Sequence, residues 1–506
     1  MSFNLIFIYL LLLLLSYTSA QQFPGIITTQ LIIKIINATL NLEFNSAGEI
    51  DQDKFSKFLE FMVPINNYKI SNFDYDFIGN SFQKSLTKFY LEKLEFIENK
   101  FDLLASGQEN KNFDKILSNN AVKLIKHNVN FVIDRHHDKH LNNFHYYYLV
   151  DQIFEIITKN WRFEPCGSTL WEKILDTYNL GTRGIIKAYT LIILSLKYKK
   201  IINSQILYYD RRIERTVKEY KKLIIRISKS TRHYMKEYNN YKNKVHWNCA
   251  PFEWKSGSHY DNFTTMEMMF SDNKFLLTHK IYFNRYPRVS TNVRCADIEN
   301  NEVVTGLKLE MYNNILYPVI QVGKLENSSI QLSSVYWKPI NYSSDNNDTV
   351  LINVFNNITY FKLGGIKLPP RHVATGVKFL FINDTVTLTV GGSKVNSDDN
   401  PRSLTKIRWF DEVNIDNCVE FFEIIDDDAN ADAAIEPFFD SRKLITYPPM
   451  PIGGIGLHQH LDGNNDIIIN NNNDKKLGII SPYFVNYDYL RFFTPEIFAE
   501  FHEIVF

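Results

Sequence analysis

The densest group of metal-capable side chains in this sequence is Asp134-Arg135-His136-His137-Asp138-Lys139-His140, with His145 close behind. On a helix His136 and His140 stand one turn apart on one face, where two imidazoles can chelate a divalent metal. The metalloprotease helix motif needs a Glu directly after its first His, and His137 holds that place. His136 and His140 are therefore metal candidates without a catalytic base, and a solvated polar helix end is the preferred reading. His458 and His460 have the spacing that puts side chains on one face of a strand, and Asp462 extends the series without adding a third clear ligand. The acidic run Asp426-Asp427-Asp428, with Asp432 and Glu436, has the charge to draw calcium but lacks the glycine and ligand spacing of a calcium loop.

Other chemistries have no motif to stand on. The sequence has no Gly-x-Ser-x-Gly nucleophile elbow, no phosphate loop, no dinucleotide fingerprint and no cysteine redox pair. No residue is assigned a catalytic role, and no cofactor is expected.

The elements that would carry these residues divide the chain in two. Phe82, Leu86, Phe89, Leu94, Ile97, Phe101 and Leu104 step by three to five, and Gly107 follows as a stop signal, which predicts an amphipathic helix. A longer one is predicted from Gln205 to Asn239. There Ile206, Tyr209, Ile213, Val217, Tyr220, Ile224, Ile227, Thr231, Tyr234 and Tyr238 form one seam, backed by a basic face from Arg211 to Lys236. The apolar run Leu191 to Leu196 is bracketed by Lys187 and Lys197 and suits a buried helix better than a membrane span.

After Trp247 and Cys249 the pattern changes to short alternating runs between Asn, Asp, Gly and Pro clusters, which is strand-and-turn grammar. Within it Val303-Val304-Thr305-Gly306-Leu307-Lys308-Leu309 returns as Val373-Ala374-Thr375-Gly376-Val377-Lys378-Phe379, and the turn pair Asn313-Asn314 returns as Asn383-Asp384. Such recurrence predicts duplicated β-hairpins. Val335-Tyr336-Trp337 and Ile407-Arg408-Trp409 close the two copies with an aromatic strand, and a degenerate third copy is expected from Gly456-Leu457 to Tyr483-Phe484. Three similar sheets would make a β-prism-like unit, two convincing copies a β-sandwich. The fold class expected is α+β in two parts: a helical bundle over 21–250, then an all-β repeat domain over 251–506 with units near 295–364, 365–440 and 441–506.

Residues 5–15 are almost wholly apolar and are followed by Thr18 and Ala20, so 1–20 reads as a signal peptide and the protein as secreted. An oxidising address fits an even set of cysteines. Of the three connectivities open to Cys166, Cys249, Cys295 and Cys418, Cys166 to Cys249 and Cys295 to Cys418 are favoured because each staples one half. Glycosylation sequons begin at Asn37, Asn262, Asn327, Asn341, Asn347, Asn357 and Asn383, six of them between 262 and 383. Charge divides at the same place: Lys+Arg outnumber Asp+Glu 34 to 24 through residue 250 and trail 22 to 32 afterwards.

These features together carry a resemblance. A signal peptide, a helical half with Pro165-Cys166-Gly167 and Trp247-Asn248-Cys249, the paired Thr-Gly units and Ser481-Pro482-Tyr483-Phe484-Val485 resemble an insect secreted family known as domain of unknown function 4803. The resemblance implies an arthropod extracellular protein of a secreted fluid such as saliva or venom, and it carries over no catalytic residues. The expected function is a non-catalytic extracellular binding or structural protein whose partner is a carbohydrate, a matrix component or another protein. Nucleic acid is not an expected partner, and no membrane span is expected. The alternative is a secreted metal-dependent hydrolase using the helical His cluster.

Overall fold

The computed structural model describes residues 22–23, 27–45, 49–66, 81–106, 118–133, 149–160, 167, 169–203, 206–239, 244–249, 251, 258–261, 288–313, 315–326, 329–340, 342, 348–351, 360–362, 364–382, 385–395, 404–410, 421–422, 438–446, 449–460 and 479–490. A helical unit takes the chain up to Asn243 except for Glu164–Thr169, and again from Tyr489, while a β unit takes Lys244–Asp488 together with Glu164–Thr169, so the β part stops short of the expected 506. This is the expected two-part α+β architecture. The division falls before Lys244, earlier than the expected 250/251, because Val245–His246 pairs into the third sheet.

Among the described residues the helical unit has seven α-helices: α1 Thr29–Asn41, α2 Gln52–Asn66, α3 Ser81–Ala105, α4 Asn119–Ile133, α5 Leu149–Asn160, α6 Leu170–Asn203 and α7 Ile206–Glu237. Helix α6 is the axis of the unit. It is buried on all sides from Leu170 to Leu196 except at Asp176, and α1, α3, α4, α5 and α7 pack around it. Its apolar run is thus core, at roughly 1.5–3 kcal/mol for each large side chain buried. The predicted seam of α7 is buried at Tyr209, Ile213, Val217, Tyr220, Ile224, Ile227 and Thr231. Ile206, first in the seam, is instead 56% exposed, because it sits at the helix start beyond the end of the packed face. No helix among the described residues is long and apolar enough to cross a membrane.

In chain order the strands of the β unit are β1 Val245–His246, β2 Tyr260–Asp261, β3 Arg288–Ser290, β4 Arg294–Cys295, β5 Glu302–Tyr312, β6 Ile315–Glu326, β7 Ser329–Trp337, β8 Thr349–Leu351, β9 Tyr360–Lys362, β10 Gly364–Lys367, β11 His372–Ile382, β12 Thr385–Lys394, β13 Arg408–Phe410, β14 Phe421–Phe422, β15 Phe438–Asp440, β16 Leu444–Ile445, β17 Ile452–His460 and β18 Ile479–Asn486. They form three sheets, each built on one long antiparallel hairpin: β5/β6, β11/β12 and β17/β18. Leu307, Ile320, Val377, Leu388, Ile455 and Phe484 come from all three hairpins and share one core. The arrangement is the prism-like alternative, with three sheets around a common interior.

The same parts recur in every sheet. A short strand runs parallel to the start of the second hairpin strand, as Arg288 opposite Ile315, Tyr360 opposite Thr385 and Phe438 opposite Ile479. The next strand along the chain leaves for a neighbouring sheet: β4 pairs with β11, β10 with β17 and β16 with β5. This cyclic exchange ties each sheet to the next. A closing strand then flanks the second hairpin strand: β7 in the first sheet, β13 in the second and β1 in the third.

That last pairing sets the domain boundary. The third repeat has no closing strand after β18 among the described residues; it takes Val245–His246 from the start of the unit, and β2 likewise supplies the outer partner of β15. The tail of the third repeat therefore stands at the head of the β unit. Expectation placed that copy wholly within 441–506, because a search along the sequence cannot pair residues read in circular order. Its spacing slips for two further reasons. The hairpin bulge lies at Gly453, and the connection from His460 to Ile479 replaces a two-residue turn.

The repeated Thr has a specific task. In both good copies the register shifts across Thr305 and Thr375, so each is a β-bulge residue left out of the ladder. Both are fully buried. The Thr375 carbonyl, freed by the bulge, accepts from Ala296 N at 2.8 Å, just after β4 joins the sheet, and Gly453 O accepts from Leu368 N at 2.8 Å in the third sheet.

Candidate functional site

Alternation along each first hairpin strand puts one set of residues into the core and the other outward. Leu307 and Leu309 are buried while Lys308 and Glu310 between and after them are half-buried on the outer face, and β11 repeats the pattern with Val377, Phe379 and Lys378. Two residues before each outward Lys is the repeated glycine. Across the hairpin Gly306 faces Gln321, which faces Trp337; Gly376 faces Gly391, which faces Trp409.

The third sheet has a similar pair at another place. Gly456 faces Tyr483, and the pairing of Phe484 with His246, carried one residue on, sets Trp247 opposite Tyr483. Two residues after Gly456 stands His458. Trp247 and His458 thus share the outer face of their sheet, as Trp337 does with Lys308 and Trp409 with Lys378, but two residues out of register: by the bulge, Gly454 is the counterpart of Gly306 and Gly376, and Val245, across Val485 from it, that of Trp337 and Trp409. The three Trp and their three basic neighbours are all half-buried.

Each basic side chain meets its Trp. Lys308 Nζ lies 5.7 Å from the Trp337 ring centroid, and Lys378 Nζ 4.6 Å from that of Trp409. The His458 and Trp247 rings are 4.4 Å apart at 33°. The attraction is that of a cation for the negative face of an indole in the first two sheets and of two rings in a tilted stack in the third. The surroundings then differ. At the first face Lys308 is paired with Glu310 at 2.5 Å, and Lys443 Nζ also approaches the Trp337 ring, at 6.0 Å. At the second the floor is bare backbone: a Cβ on Gly376 or Gly391 would come 3.2 or 3.4 Å from Trp409 Cη2. At the third Tyr483 adds an edge-on ring 6.4 Å from Trp247.

The closure that brings Trp247 into place is held by ionic and covalent ties. Asp440, fully buried, accepts from Arg442 Nε at 2.8 Å, from Arg442 Nη2 at 2.6 Å and from Ser481 Oγ at 3.0 Å. Arg442 Nη1 donates to Cys249 O at 2.6 Å. Cys249 is disulfide-bonded. Its expected partner Cys166 lies outside the described residues, but Gly167 beside it donates its amide to Trp247 O at 2.8 Å, and a Cβ there would lie 3.7 Å from Cys249 Sγ.

The other expected staple is corrected. Cys295 is a free thiol, so the link to Cys418 is not made here; Cys418 itself lies outside the described residues. Cys295 serves as an edge residue of the second sheet, its Sγ 3.1 Å from where a Gly376 Cβ would stand, and burial raises its thiol pKa despite Lys338 and Lys378 nearby.

His136, His140, the acidic run from Asp426 to Glu436 and the sequons at Asn262, Asn327, Asn341, Asn347, Asn357 and Asn383 lie outside the described residues. Asn37 is exposed on α1, while Thr39 of its sequon is buried and donates its hydroxyl to Ile35 O at 2.8 Å. Among the described residues no group of three or more His, Cys, Asp or Glu side chains could hold a metal ion. The sequence marks Trp337 and Trp409 as strand closers but does not mark Trp247, which follows the closing strand of the third sheet. The available signal was its Trp, placed just where strand grammar begins.

Compared with protein-family models and with curated proteins, the chain matches none.

Proposed function

We propose that this protein is a non-catalytic extracellular binding protein whose β unit engages a carbohydrate, a matrix component or another protein at more than one of its sheets. The observation that supports this most is the recurrence, in all three sheets, of a half-buried Trp beside an outward Lys or His. Several surfaces on one support raise avidity through effective concentration, by as much as about 10²–10⁴ without any new contact. Export to the cell exterior belongs to the same reading and rests on the apolar leader and the cysteine usage.

The test uses the purified full chain against a panel of polysaccharides and matrix proteins, read by calorimetry, with recovered ligand analysed by mass spectrometry. Saturable binding at more than one site per chain, with the ligand recovered intact, is expected. Recovery of cleaved or modified ligand overturns the non-catalytic reading.

A further inference from the structure

We infer that the solvent face of α7 is a docking surface for a linear acidic polysaccharide, which lies along the row Arg211, Arg215, Lys218, Lys222, Lys229 and Lys236. The surface belongs to the helical unit and is separate from the sheets of the reading above. Only the choice of a polysaccharide as the polyanion rests on that reading, through its extracellular address.

Three observations carry the assignment. The first is the purity of the charge. From Arg211 to Lys236 every fully exposed residue of α7 is Arg, Lys or His. Solvation alone asks only for polar groups of either sign, and α3 shows that outcome: its exposed face mixes Lys84 and Lys88 with Glu92, Glu95 and Asp102. The acids within the same span of α7, Glu214 and Glu219, are half-buried to the sides of the row. There Glu214 meets Lys218 at 2.5 Å, and Glu219 meets Lys126 of α4 at 2.7 Å.

The second observation is the arrangement. The six cations are spaced by four, three, four, seven and seven residues, which keeps them on one side of the helix over about 38 Å. Like charges three and four residues apart repel and destabilise a helix, so the row works against the fold that carries it. Arg211, Lys222, Lys229 and Lys236 have no acidic partner among the described residues.

The third is the form of the partner that this face fits. A row one cation wide matches a linear polymer, whose sulfate or uronate groups need only the charge and the donors of Lys and Arg. A bilayer would be met by the apolar side of an interfacial helix, and the apolar seam of α7 is packed inside the unit. A single-stranded nucleic acid needs aromatic platforms, and no Phe, Tyr or Trp is fully exposed between Arg211 and Lys236. Duplex nucleic acid meets the same charge, and the extracellular address sets it aside. The whole chain has a formal net charge of zero, so its retention by a polyanion must come from a local surface and not from bulk attraction.

The experiment uses the full chain with a heparin fragment and oligogalacturonate as probes, and with duplex DNA and phosphatidylserine vesicles as counter-probes. Affinity is read by calorimetry at several salt concentrations. Two triple variants remove the same charge: Arg211→Gln with Lys222→Gln and Lys229→Gln on the row, and Lys34→Gln with Lys57→Gln and Lys84→Gln at exposed positions elsewhere in the helical unit. The wild type is expected to bind one or both polysaccharides, with affinity falling as salt rises. The row variant should lose about tenfold or more and show a shallower salt dependence, while the other variant stays within about twofold. Lysine acetylation of the wild type, mapped by mass spectrometry, needs no variant: bound polysaccharide should protect Lys222, Lys229 and Lys236 and leave Lys34, Lys57 and Lys84 reactive. Absence of binding to both polysaccharides overturns the inference. Equal losses in the two variants, protection spread over all six lysines, or tighter binding of DNA or vesicles than of either polysaccharide also overturn it. Ligand binding at the sheets survives in the row variant, so the two readings fail independently.

Discussion

Phe484 pairs with His246, so the last long strand of the β unit takes its outer neighbour from the first strand of the same unit. The unit is closed by residues at its two ends, and the Asp440–Arg442–Cys249 ties lock that closure. Velcro-like closures of this kind make the head of a domain as important to stability as its tail.

A β fragment starting at Pro251, as the sequence boundary would dictate, should therefore melt well below one starting at Lys244 and carrying 164–169 as a linked peptide. It loses β1, Trp247 and the Cys249 disulfide, the last alone about 2–5 kcal/mol in a small domain. Differential scanning calorimetry of the two fragments checks this. Equal melting temperatures would show that β1 contributes nothing.

In the helical unit Arg183 Nε lies 2.6 Å from Glu98 Oε1, with both side chains largely buried. Burial raises the Glu98 pKa while Arg183 draws it back down. Arg183→Met should cost about 3–5 kcal/mol because it strands a buried carboxylate, whereas the double change with Glu98→Gln recovers much of the loss. Urea unfolding followed by helical circular dichroism measures both.

Asp176 gives the unit a pH dependence. Desolvation lifts its pKa from the usual 3.8 to about 7, with Lys173 opposing and Glu172 adding to the rise. The folded state prefers the neutral acid, so stability is greatest below about pH 4 and is lost as pH rises, the loss being complete above about 7. Asp176→Asn should flatten that fall, a difference on the order of 1–2 kcal/mol at pH 8 once the residual solvent contact of the side chain is allowed for. Melting temperatures of both proteins across this pH range test the sign.

Cys295 should alkylate without prior reduction once the protein is unfolded, and only slowly when native at neutral pH, since burial holds its thiol protonated. Peptide mapping provides the measurement. A peptide joining Cys295 to Cys418 would falsify the free-thiol assignment.

Much of the architecture is written locally and so was readable. The seam from Tyr209 to Thr231 has helical period, and its burial follows from the period alone. Lys187 and Lys197 bracket an apolar run too short for a bilayer, which left a buried helix as the reading, and α6 is that helix. The Thr-Gly duplication at 305 and 375 specified two hairpins, each with its two-residue turn and its closing Trp, because register and turn depend on neighbours in sequence.

The tertiary structure decided what depends on distance in the chain. Thr375 gained its meaning only when the carbonyl freed by its bulge met Ala296, and Cys295 became an edge residue of the second sheet only because its strand pairs there. Trp247 came to stand beside His458, 211 residues on, only because β1 pairs with β18. Sequence periodicity reports which face of an element is apolar. Only packing reports which element that face meets, because the free energy of closing a sheet is shared among strands that no local pattern connects.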